Sequence, residues 1–322
     1  MAEKKHIAFA LLKILQEETD EDHIMPVNEL MDKLNHALDL DIERRTLYSN
    51  IDVLRQAGYE ISDYKENRKG YYLITRQFEK GEVLLLCNAI HASHFINQKQ
   101  SNDLIQKLLS SLSAGQQKEF KDSVYMPNDQ KTDNSSLFLN IEVISEAIQN
   151  NKKISFTYLH YDKNKKLIPK REEPYIVEPR YIVYNDARPY MISTNPKYTD
   201  FAHYRIDKML DIKILDQPIR FLSKTRETEA YQYARNKLFM FTGEMISVTF
   251  RCKERIMDPL VDIFGPSLKV TPAEEGYFIA RVRTTENGAL FLAQQFLDAI
   301  ELIEPEDLKD ELEKRMLAIL KR

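Results

Sequence analysis

Glycine is scarce in this chain of 322 residues, at 8 positions, and the scarcity removes whole classes of function. Neither a G-x-x-x-x-G-K-[ST] phosphate loop nor a G-x-G-x-x-G dinucleotide turn occurs, and both need glycine where backbone must approach phosphate. No G-x-S-x-G elbow offers a hydrolase nucleophile. Tryptophan is absent, and the two cysteines, Cys87 and Cys252, belong to no CxxC pair. That argues against a disulfide scaffold or zinc knuckle and fits a reducing compartment. His91 and His94 lie three apart beside Cys87, but no further ligand stands near to complete a metal site. No apolar run approaches the ~20 residues of a bilayer span. Residues 1–6 lead into an amphipathic pattern broken by Lys13, not a signal-peptide core. The expectation is a cytoplasmic protein that is not an enzyme, holds no metal or cofactor and has no membrane partner.

What is present is a balanced, soluble composition: 43% hydrophobic, 30% charged, with 46 Lys+Arg against 50 Asp+Glu. A net charge of −4 confines any nucleic-acid surface to a local patch. The length predicts two or three domains, and the texture divides accordingly into an α+β multidomain chain. Residues 1–78 read as helices followed by a short hairpin, and residues 79–126 as a helical linker or dimerisation region. Residues 127–136 carry no core-forming side chain and read as a flexible linker. After a helix near residues 137–150, short β-rich runs at residues 154–158, 181–184 and 190–193 predict a small barrel-like sheet over 137–222. Residues 244–322 alternate strand and helix as a separate small α+β domain.

The segment from Asp41 to Gly58 is the most informative. Asp41 is a candidate N-cap and Gly58 a candidate stop. Leu47, Ile51 and Leu54 share one helical face, which must point at a core. Arg45 and Ser49 lie opposite, flanked by Thr46, Tyr48 and Asp52. Such a face suits the major groove, with a preceding helix near residues 27–34 crossing the backbone. Residues 61–73 then read as a hairpin wing with a basic tip, Arg68 and Lys69. The competing reading is a helical bundle with a merely solvated arginine face, and 11 Lys+Arg against 15 Asp+Glu over residues 1–78 count against tight nonspecific binding.

The run from Arg44 through Ile51, followed by Leu54, Gly58 and Gly70-Tyr71-Tyr72-Leu73, resembles the winged helix-turn-helix of bacterial WYL-domain transcription regulators. Their usual helix reads Arg-Thr-(Val/Ile)-Tyr-Arg-Asp-Ile, and Ser49 and Asn50 replace its Arg-Asp pair here. The resemblance continues through Val177-Glu178-Pro179, Pro189-Tyr190-Met191 and His203-Tyr204-Arg205-Ile206-Asp207-Lys208-Met209. These follow the order and spacing of the family's V-x-P, W-Y-L and F-R-L-D-R-I motifs, with Pro189 for Trp and Met191 for Leu. Residues 246–308 resemble the extension that usually follows. The resemblance implies a winged helix-turn-helix, a small SH3/Sm-like β-barrel as the WYL domain, and a C-terminal extension. It also implies DNA contacts from Arg44, Arg45, Thr46, Tyr48, Ser49, Arg68 and Lys69.

The middle segment carries Tyr158, His160, Arg180, Arg188, Tyr190, His203 and Arg205, within 14 Lys+Arg against 11 Asp+Glu over residues 141–220. Arginine forks match phosphates, and tyrosine rings offer stacking faces to bases. The resemblance carries Arg188, Tyr190 and Arg205 onto the family's pocket positions. The competing reading makes the tyrosines barrel-edge residues and pairs Arg205 with Asp207 or Glu178. The function expected is a ligand-responsive regulator that binds a double-stranded operator as a homodimer, and whose WYL domain senses a single-stranded nucleic-acid fragment or nucleotide. The alternative is a single-strand-binding accessory module whose N-terminal domain serves assembly.

Overall fold

The computed structural model describes residues 2–123, 131–132, 134–185, 188–195, 198–225, 240–241 and 243–321. Half of the expected linker, residues 127–130 and 133, lies outside them. The chain divides into two compact units, residues 1–135 and 136–322.

The first unit is helical. Helices α1 (Ala2–Glu18), α2 (Val27–Leu38) and α3 (Arg44–Gln56) bury Leu11, Leu15, Leu30, Leu34, Leu47, Ile51 and Leu54 in one core. The α3 seam is the one its periodicity predicts. Its stop is also as expected: Gly58 takes φ +96°, its N–H donates to the Arg55 carbonyl, and the Tyr59 N–H reaches back to Leu54. That pair of bonds is a Schellman closure, which the left-handed glycine permits.

The start is different. Asp41 is exposed, Glu43 is the N-cap residue, and no side chain caps the helix. Asn35 explains the shift, because its Oδ1 accepts from the Ile42 N–H at 2.8 Å and Ile42 is buried. The turn is therefore held from α2, and the helix begins only beyond it.

The expected wing is paired more sparsely than a full hairpin. Ile61 bridges Leu73, and Met25, just before α2, bridges Tyr71. Between them the tip folds into a helical turn, α4 (Tyr64–Asn67), because Asp63 caps Lys65 at 3.0 Å and the Asn67 amide closes on Lys69 and Gly70. Gly70 is obligatory, since a Cβ there would sit 2.0 Å from the Met25 carbonyl oxygen. Helices α5 (Lys80–Ala92), α6 (Gln98–Leu109) and α7 (Ala114–Ser123) build a second core around Val83, Cys87, Ile105 and Phe120.

The second unit begins with α8 (Leu137–Gln149), followed by a six-stranded antiparallel sheet. Its strands are β1 (Lys152–Tyr161), β2 (Leu167–Pro169), β3 (Tyr175–Asn185), β4 (Arg188–Asn195), β5 (Tyr198–Arg205) and β6 (Met209–Pro218). Strand β1 pairs with β6 on one side and with β2 and β3 on the other, and the order runs on through β4 to β5. Bulges in β1, β3 and β4 bend the sheet into a half-barrel. The buried Asn140 of α8 ties the helix to the sheet by donating to the Ile206 and Met209 carbonyls.

Four further strands close the unit: β7 (Met245–Lys253), β8 (Lys269–Pro272), β9 (Tyr277–Thr285) and β10 (Ile300–Glu304), in the order β10-β7-β9-β8. Helices Met257–Phe264, Glu286–Gln295 and Glu306–Leu320 accompany them, and Val248, Phe250, Cys252, Leu260, Phe278, Leu292 and Leu302 share one core.

Candidate nucleic-acid and ligand sites

On α3 the outward face is open. Arg45, Tyr48 and Ser49 are exposed, with Asp52 and Val53 beyond them, and Thr46 is half-buried. Arg44 also points outward, but its guanidinium donates to Asn28 of α2 at 2.6 Å, which links the two helices at the surface. Asn50 is 4% exposed and bonds the Thr46 carbonyl, so this departure from the usual helix motif faces the core. Arg55 is spent on the Ile61 and Ser62 carbonyls at the base of the wing. Arg68 and Lys69 are exposed at the tip, with Arg68 at φ +55°.

The cluster in the half-barrel centres on Arg205. Its guanidinium makes a two-point pair with Asp207, Nε to Oδ1 at 3.0 Å and an NH2 contact to Oδ2 at 2.6 Å. Asp207 is itself buried, whereas a quarter of the Arg205 side chain remains exposed. The Arg205 backbone N–H donates to the Tyr158 hydroxyl at 3.2 Å, and Tyr190 stands directly across the ladder from Arg205. Burial tends to lower the arginine's pKa, but the Asp207 pair and the tyrosine oxygens outweigh it and hold the pKa above its ordinary value. Burial raises the Tyr158 hydroxyl's pKa. The His203 ring meets Tyr190 edge-on, with centroids 6.0 Å apart.

Lys208, for which the sequence offers no separate signal, joins this group. Burial and then repulsion from Arg205 lower its pKa, Arg188 adds to the effect, and its ammonium lies 5.0 Å from the Tyr161 ring centroid. Three cations and several phenol rings therefore converge around the buried carboxylate of Asp207. That arrangement favours an anion carrying a flat ring.

Two expected residues are placed elsewhere. Arg180 sits at the β3 bulge, toward the end of β4 remote from Arg188. There it binds Thr194 Oγ1 at 3.1 Å, Glu178 at 3.3 Å and the Arg220 carbonyl at 2.7 Å. Glu178 is fully buried and also receives the Arg220 guanidinium at 3.1 Å and the Thr194 hydroxyl at 2.8 Å. Burial pushes this carboxyl upward, yet the hydrogen bonds and Arg220 bring its pKa below the usual value. This is a fastening of the sheet. His160 lies on β1 opposite Ile168 of β2, and its Nδ1 is buried without a hydrogen-bond partner among the described residues.

An aromatic group also emerges that sequence reasoning misses. Phe156, Tyr158, Tyr175 and Tyr204 pack with centroids 5.1–6.3 Å apart, and Arg171 covers Tyr175 at 3.6 Å. Alternation within β1 signals Phe156 and Tyr158, but their partners come from strands remote in sequence.

Among the described residues no group of three His, Cys, Asp or Glu side chains could hold a metal, and no helix is long and apolar enough to cross a membrane. Both thiols are buried, and burial pushes Cys252 up to about 12.

No curated protein matches the sequence. Among the solved structures that resemble it are two weak matches. Proteasome accessory factor B/C (PafBC) of Arthrobacter aurescens is 14% identical with a TM-score of 0.28, covering 96% of this chain and 47% of that one. A structure described as a CRISPR Cas-related protein is 12% identical with a TM-score of 0.37, covering 76% and 73%. This chain thus spans about half the length of the first. The family model described as the WYL domain matches residues 140–214, from within α8 through most of β6 and therefore across the whole Arg205 cluster. The half-barrel is the part of this chain that the WYL-domain model matches.

Proposed function

We propose that the chain is a WYL-domain transcription regulator that binds rather than catalyses. Its first unit acts as a winged helix-turn-helix that docks α3 in the major groove of an operator, and its SH3/Sm-like half-barrel senses a single-stranded nucleic-acid fragment or nucleotide. The observation that carries the sensing part is Arg205, held by Asp207 and Tyr158 with a quarter of its side chain exposed beside Tyr190, Lys208 and Arg188. A phosphate meeting that group finds its donors already oriented, so little ordering cost opposes binding.

The outward Arg45, Tyr48 and Ser49 and the basic tip at Arg68 and Lys69 support the operator part. One helix reads only a few base pairs, so a homodimer spanning two half-sites about 10 bp apart, or a multiple of that, completes the reading. Ligand at the sensor then favours one arrangement of the dimer, and operator affinity changes by the same coupling energy.

The test is binding of the full chain to a duplex of its own promoter region and to a random single strand, across a salt series. The expected result is a specific duplex complex whose affinity shifts when short oligonucleotides are added. Equal affinity for unrelated duplexes would remove the operator reading, and an unshifted complex would remove the sensor.

A further inference from the structure

Among the described residues the C-terminal sheet has helices packed on one face, and the other face, which carries exposed and half-buried charged side chains, has a chemistry that the proposed regulator does not use. In chain order the domain runs strand, helix, strand, strand, helix, strand, with the sheet order β10-β7-β9-β8. This split βαβ arrangement leaves its two central strands, β7 and β9, free to present side chains away from the helices.

Alternation along the strands sorts the residues. Val248, Phe250 and Cys252 of β7 and Phe278, Ala280 and Val282 of β9 are buried in the core. Arg251, Lys253, Tyr277, Ile279, Arg281 and Arg283 therefore point the other way, and Arg281 and Arg283 are exposed. Lys269 of β8 stands opposite Arg281, which extends the basic row to the third strand.

Aromatic chemistry lies on the same face. The Arg251 guanidinium lies 3.8 Å from the Tyr277 ring centroid. It is held there by Glu274 on one side and by Glu301 at 3.2 Å on the other. The acids thus serve to fix a flat, stacked surface, while Lys253, Lys269, Arg281 and Arg283 supply the positive field. Residues 244–322 as a whole hold 11 Lys+Arg against 15 Asp+Glu, so the basic face is a segregation of charge within an acidic domain.

We propose that this charged face is a second nucleic-acid surface, one that binds single strands by stacking bases on the Arg251–Tyr277 pair and tracking phosphates along Arg281, Arg283 and Lys269. A four-stranded antiparallel sheet with stacking groups on its central strands is a known platform for unpaired bases. Stacking with a cationic track gives affinity without strong sequence preference. A duplex fits poorly, because its bases are not available to stack. The proposal is independent of the Arg205 cluster and assigns the C-terminal sheet a role of its own.

The experiment uses the full chain and a fluorescein-labelled oligothymidylate of about 20 nucleotides, longer than one stacking platform needs. The double variant Arg281→Glu/Arg283→Glu is made in the wild-type chain and in an Arg205→Ala chain. The expected result is a loss of strand affinity of about ten-fold or more in both backgrounds, a shallower salt dependence, and weak competition by a duplex of equal length. In the wild-type chain, ultraviolet cross-linking of the same strand should label the peptide that contains Tyr277.

Affinity unchanged within about two-fold in both backgrounds overturns the proposal, given that each lost phosphate contact should register. Cross-links confined to residues 140–214 overturn it as well, and this measurement does not depend on how the variant folds. A variant that changes only the oligomeric mass in light scattering marks the face as a contact between copies, which also overturns it. Loss of all strand binding on Arg205→Ala alone also overturns it, because the C-terminal face should bind without the half-barrel.

Discussion

Two arginine–carboxylate pairs in the half-barrel have the same separation in sequence and opposite meanings. Glu178 and Arg180 are two residues apart on β3, and Arg205 and Asp207 are two residues apart at the end of β5. In the first pair the carboxylate is fully buried and takes bonds from Arg180, Arg220 and Thr194, so its lone pairs are consumed by the protein. In the second the carboxylate holds the Arg205 guanidinium in place, and a quarter of that arginine's side chain stays exposed. An ion pair that closes on itself is a fastening, and one whose arginine stays partly exposed is available to a ligand. Nothing in the spacing separates the two, and only burial does.

Glu178→Ala should have the largest effect of any single substitution in either pair. It leaves the 10%-exposed Arg180 without its carboxylate, and breaking a buried pair costs about 3–5 kcal/mol. Urea denaturation should show it directly. A loss below ~1 kcal/mol would mean that Arg180 finds water and that the two pairs are alike. The pH dependence sharpens the same point. A carboxyl whose pKa is lowered on folding contributes stability that is present above the unfolded value, near ~4.3. That contribution should fade as pH falls below this value, and Glu178→Gln should flatten the acid limb of the wild-type curve.

Arg205→Ala should have the reverse profile. The fold loses a partly exposed pair, while a phosphate-bearing ligand loses a charge-assisted bond contributing about 1.5–3 kcal/mol. Affinity for short oligonucleotides should fall by roughly one to two orders of magnitude, and because buried Asp207 loses this guanidinium the melting temperature should fall too, though less than in Glu178→Ala. Asp207→Asn should fall between wild type and Arg205→Ala, since the guanidinium stays but is no longer fixed. If Arg205→Ala destabilises the fold as much as Glu178→Ala and leaves oligonucleotide binding intact, the Arg205 pair is a second fastening.

Arg45 extends the comparison to an exposed arginine on the helix face opposite Leu47, Ile51 and Leu54. Arg45→Ala should cost ~1–3 kcal/mol of specific duplex affinity if the side chain reads a base edge. Thermal stability should not move. A folded Arg45→Ala chain with wild-type operator affinity would remove α3 as the reading helix.

How much of the fold and site is legible in the sequence depends on whether the signal is local. The α3 seam and its glycine stop follow from periodicity and backbone chemistry within one segment, and both hold. Strands β1, β3 and β4 are visible as alternating or β-branched runs, whereas β2 has three exposed residues and too short a pattern to register. The Asp41 cap fails because Asn35, a side chain from the preceding helix, holds Ile42 instead. Arg180 groups with Arg205 by residue type alone. In sequence Glu178 reads only as a surface partner, since a buried acid next to a proline gives no local sign of the threonine and second arginine that enclose it. Lys208 lies within a recognisable motif, but its closeness to Arg188 and Arg205 is made by the sheet.

Tyr190→Phe should have the smallest effect, and it decides what the tyrosine contributes. The residue is 8% exposed, lies across the ladder from Arg205 and meets the edge of the His203 ring. A ring so placed, in one buried cluster with Ile192, Phe201 and Met240, acts mainly through its packing, which phenylalanine keeps. Oligonucleotide affinity should fall by no more than about three-fold, under ~1 kcal/mol. Tyr190→Ala should cost more, in line with the ~1–3 kcal/mol of a base–aromatic stack, together with some stability from the lost packing. If Tyr190→Phe instead matches Arg205→Ala, the hydroxyl is a direct ligand to the anion, and the site binds phosphate through tyrosine and arginine together.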